Sequence, residues 1–339
     1  MDTRAWMRSL PLLLLAFALA CGPRAPAPGE TKERVRIGLA IPSYVHAIAW
    51  ISHERGYFAD EGLAAEVQVM GGSAATIQAL VGGSLDFGLA GGDTALKARL
   101  AGADLAVLAV VVDRFYHRII SRPDVQGLEA LKGKTIGLPF LGGPQEMAVR
   151  HALQSVSLSP ERDVKLLTLG EEFNRMAALA RGEIHATTAE VPLPRIREQG
   201  FHVLADLPAG DARFPYVAVV VRKGHLQQRT AQAQGVVRAL CRGIAYYKHA
   251  DNKPQALELV RRHIGSEVPP HVAEESYEDV GPRFLAYPPA ATPDSFASVL
   301  PLIGAGAGPA AIPDDFIAPG ALAHLQKQGA CRGADPARN

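Results

Sequence analysis

The sequence lacks a surplus of charge of either sign. Its 339 residues hold 35 Lys and Arg against 34 Asp and Glu, a formal net charge of +1, and binding to a phosphate backbone needs a basic excess. Nucleic acid is therefore excluded as a partner. Cysteine is scarce, with three residues. There is no C-x-x-C and no H-E-x-x-H, and the 11 histidines are scattered, so no metal site is expected. G-x-S-x-G is also missing, and no nucleophile with an identifiable base can be named. The glycine-rich stretch from Gly304 to Pro309 has the wrong spacing for a dinucleotide fingerprint and follows no predicted strand. The Gly127 to Thr135 stretch ends like a P-loop, but its spacing is off by one residue and its tail opens a strand instead of a helix. No cofactor is expected. The one strongly apolar N-terminal run, Leu10 to Ala20, is too short to span a bilayer, which takes about 20 apolar residues.

What is present begins with an address. Arg4 and Arg8 precede that apolar run, which ends in Ala18-Leu19-Ala20 just before Cys21. Two processing routes fit: ordinary cleavage after an A-x-A pattern, or a bacterial lipobox that makes Cys21 an acylated first residue. Residues 22–33 contain Pro23, Pro26 and Pro28 without apolar periodicity, which is the composition of an extended tether. A tether belongs behind an anchor, so residues 1–21 are read as a signal peptide with lipobox, and the protein as lipid-anchored at the periplasmic or cell-surface side of a membrane. In an oxidising compartment Cys241 and Cys331 can pair. Alternatively Cys241, which shares a helix face with Val237, Leu240 and Ile244, fills the core.

With 48% hydrophobic and 20% charged residues, the body has the composition of a globular chain long enough for two cores. From Val35 it alternates strand and helix. Strands are predicted at Val35–Ile41, Val67–Met70, Asp86–Ala90, Leu105–Val112, Thr135–Leu138, Val164–Leu169, Ile184–Thr188 and Tyr216–Arg222. Helices between them stop at Gly56 and Gly182, the residue type suited to a left-handed C-terminal position. After Arg222 the chain reads as largely helical to about Gln328. Such alternation predicts an α/β fold of doubly wound, mainly parallel sheets.

Strand, small-residue turn, polar residue and helix recur at Pro42–His46, Gly72-Ser73, Gly91-Gly92-Asp93-Thr94 and Leu141–Pro144, with Ser73 and Asp93 predicted as N-caps. In a doubly wound sheet these turns gather at the carboxyl edge of the strands, where ligands bind. Helix N-termini there favour anionic or acceptor-rich groups.

Glu54–Leu63 (ERGYFADEGL) resembles the segment after the first strand in solute-binding proteins of ABC importers of the nitrate, sulfonate and thiamine-precursor branch. Gly82–Gly88, Leu131–Gly137, Ala178–Ile184 and Pro215–Lys223 agree in order. At His185 the chain departs from the acidic residue usual in that branch. The resemblance implies a two-lobed periplasmic-binding-protein-like fold of type 2, with a ligand cleft between the lobes and a helical C-terminal part. Lobe one would comprise 34–112 plus 214–330 and lobe two 113–213, with hinge crossings near 113–118 and 208–214. It also implies a monomeric receptor, not an enzyme, that captures a small solute and delivers it to a membrane permease and ATPase. The alternatives are a biosynthetic enzyme on the same fold or a ligand-sensing module. Residues at or just after the predicted strand ends are the candidate ligand contacts: Tyr44, His46, Ser73, Asp93 and Thr94 from lobe one; Leu141, Gly143, Gln145 and Glu190 from lobe two; and Tyr216, where the chain returns. Asp93 and Glu190 would suit hydrogen-bond donors such as the amino group of a pyrimidine.

Overall fold

The computed structural model describes residues 32–210, 212–264, 268–305, 311–318 and 331. Cys21 and the N-terminal address lie outside them, as do most residues after 318. The chain opens with β1 (Glu33–Leu39), α1 (Ala47–Glu54), α2 (Tyr57–Asp60), β2 (Leu63–Val69), α3 (Ser73–Val81), β3 (Phe87–Ala90), α4 (Gly92–Leu100) and β4 (Leu105–Arg114). It continues through β5 (Arg118–Ser121), β6 (Thr135–Leu138), α5 (Pro144–Gln154), β7 (Lys165–Thr168), α6 (Glu172–Arg181), β8 (Ala186–Ala189), α7 (Leu193–Glu198) and β9 (His202–Asp206). Then come β10 (Arg213–Arg222), α8 (Lys223–Gln228), α9 (Thr230–Lys248), α10 (Lys253–Ile264), α11 (Pro270–Asp279), α12 (Pro293–Ala297) and α13 (Val299–Leu302).

These strands form two five-stranded sheets, ordered β2-β1-β3-β10-β4 and β7-β6-β8-β5-β9. β1, β2 and β3 run parallel, as do β6, β7 and β8. The expectation of mainly parallel sheets holds, with one reversed strand in each. β10 runs antiparallel to β3 and β4, and β5 runs antiparallel to β8 and β9. Both are the strands on which the chain enters a sheet from the other one, and both run against their neighbours. β5 and β9 went unread in the sequence. β5 has four residues, too few to show a period, and β9 is half-buried along most of its length.

The continuous apolar run of β4 is buried from Leu105 to Val112. A strand at a sheet edge needs cover to be so dry. Here the helical C-terminal part supplies it: Val107 bridges to Ile317 and Val112 to Leu285. α9 packs on α1 and α2, and Cys241 on α9 is joined to Cys331 by a disulfide, with Cα atoms 5.6 Å apart. That bond decides between the two readings of Cys241, which is buried and bonded at once. Gly56 and Gly182 end their helices at φ of 75° and 78°, the left-handed conformation that glycine adopts without a Cβ penalty.

Candidate functional site

Both sheets present the carboxyl ends of their parallel strands to one region. The turns after β1, β2 and β3 and the start of β10 come from the first sheet; the turn after β6, leading into α5, comes from the second. They meet around a cavity of about 20 Å³ lined by Ala40, Ile41, His46, Gly72, Ser73, Gly91, Phe140, Gly143, Pro144, Gln145 and Tyr216. That is room for about one water molecule, so the walls stand close together.

Five of the ten residues expected at a ligand line this space: His46, Ser73, Gly143, Gln145 and Tyr216. Asp93 and Thr94 stand at its edge. The Thr94 hydroxyl donates to the Gly142 carbonyl at 2.9 Å, tying one wall to the other. Tyr44 is buried in the core of the first sheet. Leu141 is half exposed, and Glu190 lies behind Tyr216 in the network described below. The sequence did not single out Phe140 or the groups that hold Glu190. Gly72, Gly91 and Pro144 were visible in it only as turn punctuation.

The two predicted N-caps are corrected by the structure. Gly72 and Gly91 occupy the cap positions of α3 and α4, without side-chain capping bonds. Ser73 is the first residue of its helix, and its hydroxyl accepts the Gly91 N–H at 3.0 Å. It therefore joins the turn after β2 to the turn after β3. Asp93 lies within the first turn of α4. Small residues sit at the caps because the opposite wall is close: a Cβ on Gly91 would lie 2.7 Å from the Pro144 ring and 2.3 Å from Asp93 Oδ1. Gly72, at φ 120°, faces the Phe140 ring in the same way.

The site contains four acidic groups, in different states of repair. Glu190, at the end of β8, accepts from His117 Nε2 at 3.0 Å and from the Tyr116 hydroxyl at 3.3 Å. The Tyr216 hydroxyl lies 2.8 Å from His117 Nδ1. A neutral imidazole protonated on Nε2 satisfies the whole chain: Tyr216 donates to His117, and His117 donates to Glu190. Burial alone would raise the Glu190 pKa, but the His117 bond and the Arg175 charge hold it below the ordinary range. Glu172 accepts the Glu190 backbone N–H at 3.0 Å. Burial, with the Glu190 charge next, pushes its carboxyl up to about 7. Arg175 is buried and donates to Thr187 Oγ1 and to the carbonyls of Gly170 and Thr188. Glu146, in the first turn of α5, accepts the Gly142 N–H at 2.7 Å and pairs with Arg150.

Asp93 is different. It is 2% exposed, and its Oδ1 has no hydrogen-bond partner among the described residues. Its Oδ2 accepts from the Thr94 hydroxyl at 3.3 Å. Burial pushes its pKa up to about 7 against the backbone N–H groups that draw it down. His46 is its counterpart on the same wall: Nδ1 lies 2.8 Å from Ser43 Oγ, while Nε2 has no partner among the described residues. Burial lowers its pKa to about 4, so the ring is neutral. A roomier depression of about 590 Å³ lies at the opposite edge of the first sheet. Its charges are matched by partners, as in Arg36 with Asp86 and Arg229 with Glu33, so it offers no comparable unmet group.

Residues 43–255 match the family described as NMT1/THI5 like. The chain belongs to this family. Bacillus subtilis YtlA, named as a binding protein, is 24% identical over 80% of this chain and 78% of its own. The formylaminopyrimidine-binding protein of Halalkalibacterium halodurans is 21% identical over 74% and 76%. Among solved structures, the alkanesulfonate-binding protein SsuA of Xanthomonas axonopodis, bound to MOPS, superposes with a TM-score of 0.66 at 17% identity, covering 85% of this chain and 97% of that one. The periplasmic nitrate-binding protein NrtA of Synechocystis gives 0.61 at 17%, over 75% and 71%. The desulfurization enzyme DSZB gives 0.58 at 15%, over 87% and 99%. These likenesses fix the periplasmic-binding-protein fold, which the family shares with at least one enzyme.

Proposed function

We propose that this protein is the extracytoplasmic solute-binding receptor of an ABC importer. It captures a small polar solute between two lobes and presents it to a permease and its ATPase. The observation that carries the reading is the convergence of both sheets on one small cavity whose lining includes His46, with an Nε2 that has no partner among the described residues. A site built that way gains free energy when a ligand supplies that partner, and the closed arrangement is favoured by the added contacts of the second wall. The lobes are residues 34–112 with 214–330, and 113–213, hinged near 113–118 and 208–214. Family membership and the names of the relatives support a binding role. Against the enzyme alternative, Ser73 in the cavity lining accepts from a backbone N–H and has no base bonded to it, and the Tyr216 hydroxyl is engaged through His117 in the network that holds Glu190. Cys21 as a lipid attachment point keeps the monomeric receptor at the membrane it serves.

Calorimetric titration with a panel of small solutes is the test. One member should bind at one-to-one stoichiometry with no chemical change; a product in the recovered mixture would favour the enzyme. Changing Cys21→Ala should release the protein from membranes in a fractionation, and equal membrane association of mutant and parent would remove the anchor.

A further inference from the structure

Thr94 and Gly142 face each other from opposite walls of the cleft. The Thr94 hydroxyl, in the first turn of α4, donates to the Gly142 carbonyl at 2.9 Å. The same oxygen lies 3.3 Å from Asp93 Oδ2, and of the two bonds the shorter is the one across the cleft. Gly142 belongs to the turn between β6 and α5, and its own lobe holds that turn fast: Glu146 Oε2 accepts the Gly142 N–H at 2.7 Å, and Glu146 is itself paired with Arg150. The turn stands within van der Waals reach of the other wall, since a Cβ on Gly142 would lie 3.9 Å from Ala74 Cβ and one on Gly143 3.8 Å from Ser73. A turn gripped by its own carboxylate cannot swing its carbonyl after a receding α4. Any opening that parts the two walls here breaks the Thr94 bond.

Other side-chain bonds between the lobes lie at or beside the chain crossings. Tyr216 bonds His117 and Arg118 bonds Asp279, while Arg195 pairs with Glu275, one turn from Asp279 on α11. Thr94 and Gly142 belong to neither crossing, and neither lines the cavity. Their bond therefore depends on closure without depending on what the cavity holds. We propose that Thr94 is a latch: by holding the Gly142 carbonyl, its hydroxyl stabilises the closed receptor and sets how long any captured solute stays. This rests on the receptor reading and adds the residue that keeps the clamp shut. Opening hands the Gly142 carbonyl to water, so the bond contributes only a net difference, about a threefold to tenfold shift in the closed-to-open ratio. Solute leaves through the open state, so that factor falls on release and leaves encounter with the open protein untouched. Thr94 acts as a positioning residue and not as a ligand contact.

The test uses the whole protein and three probes: butanesulfonate, nitrate and 4-amino-5-hydroxymethyl-2-methylpyrimidine. Calorimetry gives affinity, and stopped-flow protein fluorescence times association and release, on the parent, Thr94→Val and Thr94→Ser. Val keeps the shape of Thr and loses the hydroxyl; Ser keeps the hydroxyl. Each variant's folding is checked by its own melt, and Thr94→Ala serves as a second hydroxyl-free variant should Val disturb α4. Every probe that binds the parent should leave Thr94→Val about threefold to tenfold faster, by the same factor for each probe and with association unchanged, while Thr94→Ser stays within about twofold of the parent. Release unchanged in Thr94→Val overturns the latch and leaves the receptor standing. Equal acceleration in Thr94→Val and Thr94→Ser shows that the hydroxyl is not what holds the walls, and overturns it too. Faster release of one binding probe but not of another makes Thr94 a contact to that solute instead. Failure of all three to bind the parent counts against the receptor reading and the latch with it.

Discussion

Two acids at corresponding places in the two sheets have been treated in opposite ways. Glu190 follows β8 in the second sheet and Asp93 follows β3 in the first, and both are buried. Glu190 is enclosed by groups from both sheets: His117 and Tyr116 bond its carboxylate, Tyr216 of β10 bonds His117, and Arg175 lies close enough to stabilise its charge. Asp93 has one weak side-chain bond and an oxygen with none. A buried acid with its partners supplied is structural support; a buried acid without them is in want of something from outside. On the proposed reading the second wall of the cleft is complete, and the first is the one a ligand would complete.

Removing the two acids should move the stability of the ligand-free protein in opposite directions. Glu190→Ala leaves the His117 Nε2–H and the Tyr116 hydroxyl facing each other in a dry cluster, and the loss should be roughly 2 to 4 kcal/mol at the penalty for each unsatisfied buried group. Chemical denaturation at neutral pH measures it, and a loss under about 0.5 kcal/mol would mean that the network is incidental.

Asp93→Asn should instead stabilise, by about 1 to 3 kcal/mol at pH 8. The pKa of Asp93 is raised in the folded protein, to about 7. The proton is therefore held more tightly folded than unfolded, and its contribution is full at low pH and lost as pH climbs from about 4 to about 7. The gain from Asn should accordingly vanish near pH 4. His46 works with the other sign, because its pKa is lowered to about 4: its contribution is present above its ordinary pKa and lost as pH falls from about 6.5 towards 4. Melts of parent and Asp93→Asn should differ most at pH 8 and converge towards pH 4, and parallel curves would contradict the account of Asp93.

The smallest effect on stability should come from Gly91→Ala. The backbone there, at φ −58°, suits any residue, and the cost to the open form, that of moving the Asp93 carboxylate the methyl would otherwise meet at 2.3 Å, should be about 1 kcal/mol. The added methyl meets Pro144 across the cleft, so closure and ligand affinity should suffer about tenfold or more. Unchanged affinity would show that the walls do not approach as closely as the comparison requires.

Much of this was legible in the sequence. The strands β1, β3, β4 and β6 showed through their alternation or their unbroken apolar runs. The turns at Gly72-Ser73, Gly91–Thr94 and Leu141–Pro144 marked both cleft walls. What stayed hidden had physical reasons. Ser73 and Asp93 read as caps because a cap and a cleft residue occupy nearly the same position in a strand–turn–helix unit; only the opposite wall at Pro144 explains why glycines hold the cap positions. His117, Tyr116 and Arg175 gain their meaning from contacts 73, 74 and 12 residues away in sequence, and local pattern carries no signal at that distance. The antiparallel runs of β5 and β10 belong to the route of the chain between sheets, which propensity does not encode.

The central claim is that the two walls close on a small solute. The direct measurement is the distance between spin labels at Val69→Cys and Leu141→Cys, both at half-exposed positions on opposite sheets, with the native disulfide left intact. At pH 8 without added solute the account predicts a longer, broad distribution. Saturation with whichever probe binds most tightly should collapse it to a single shorter distance. One narrow distance, unchanged by every solute that binds, would contradict it.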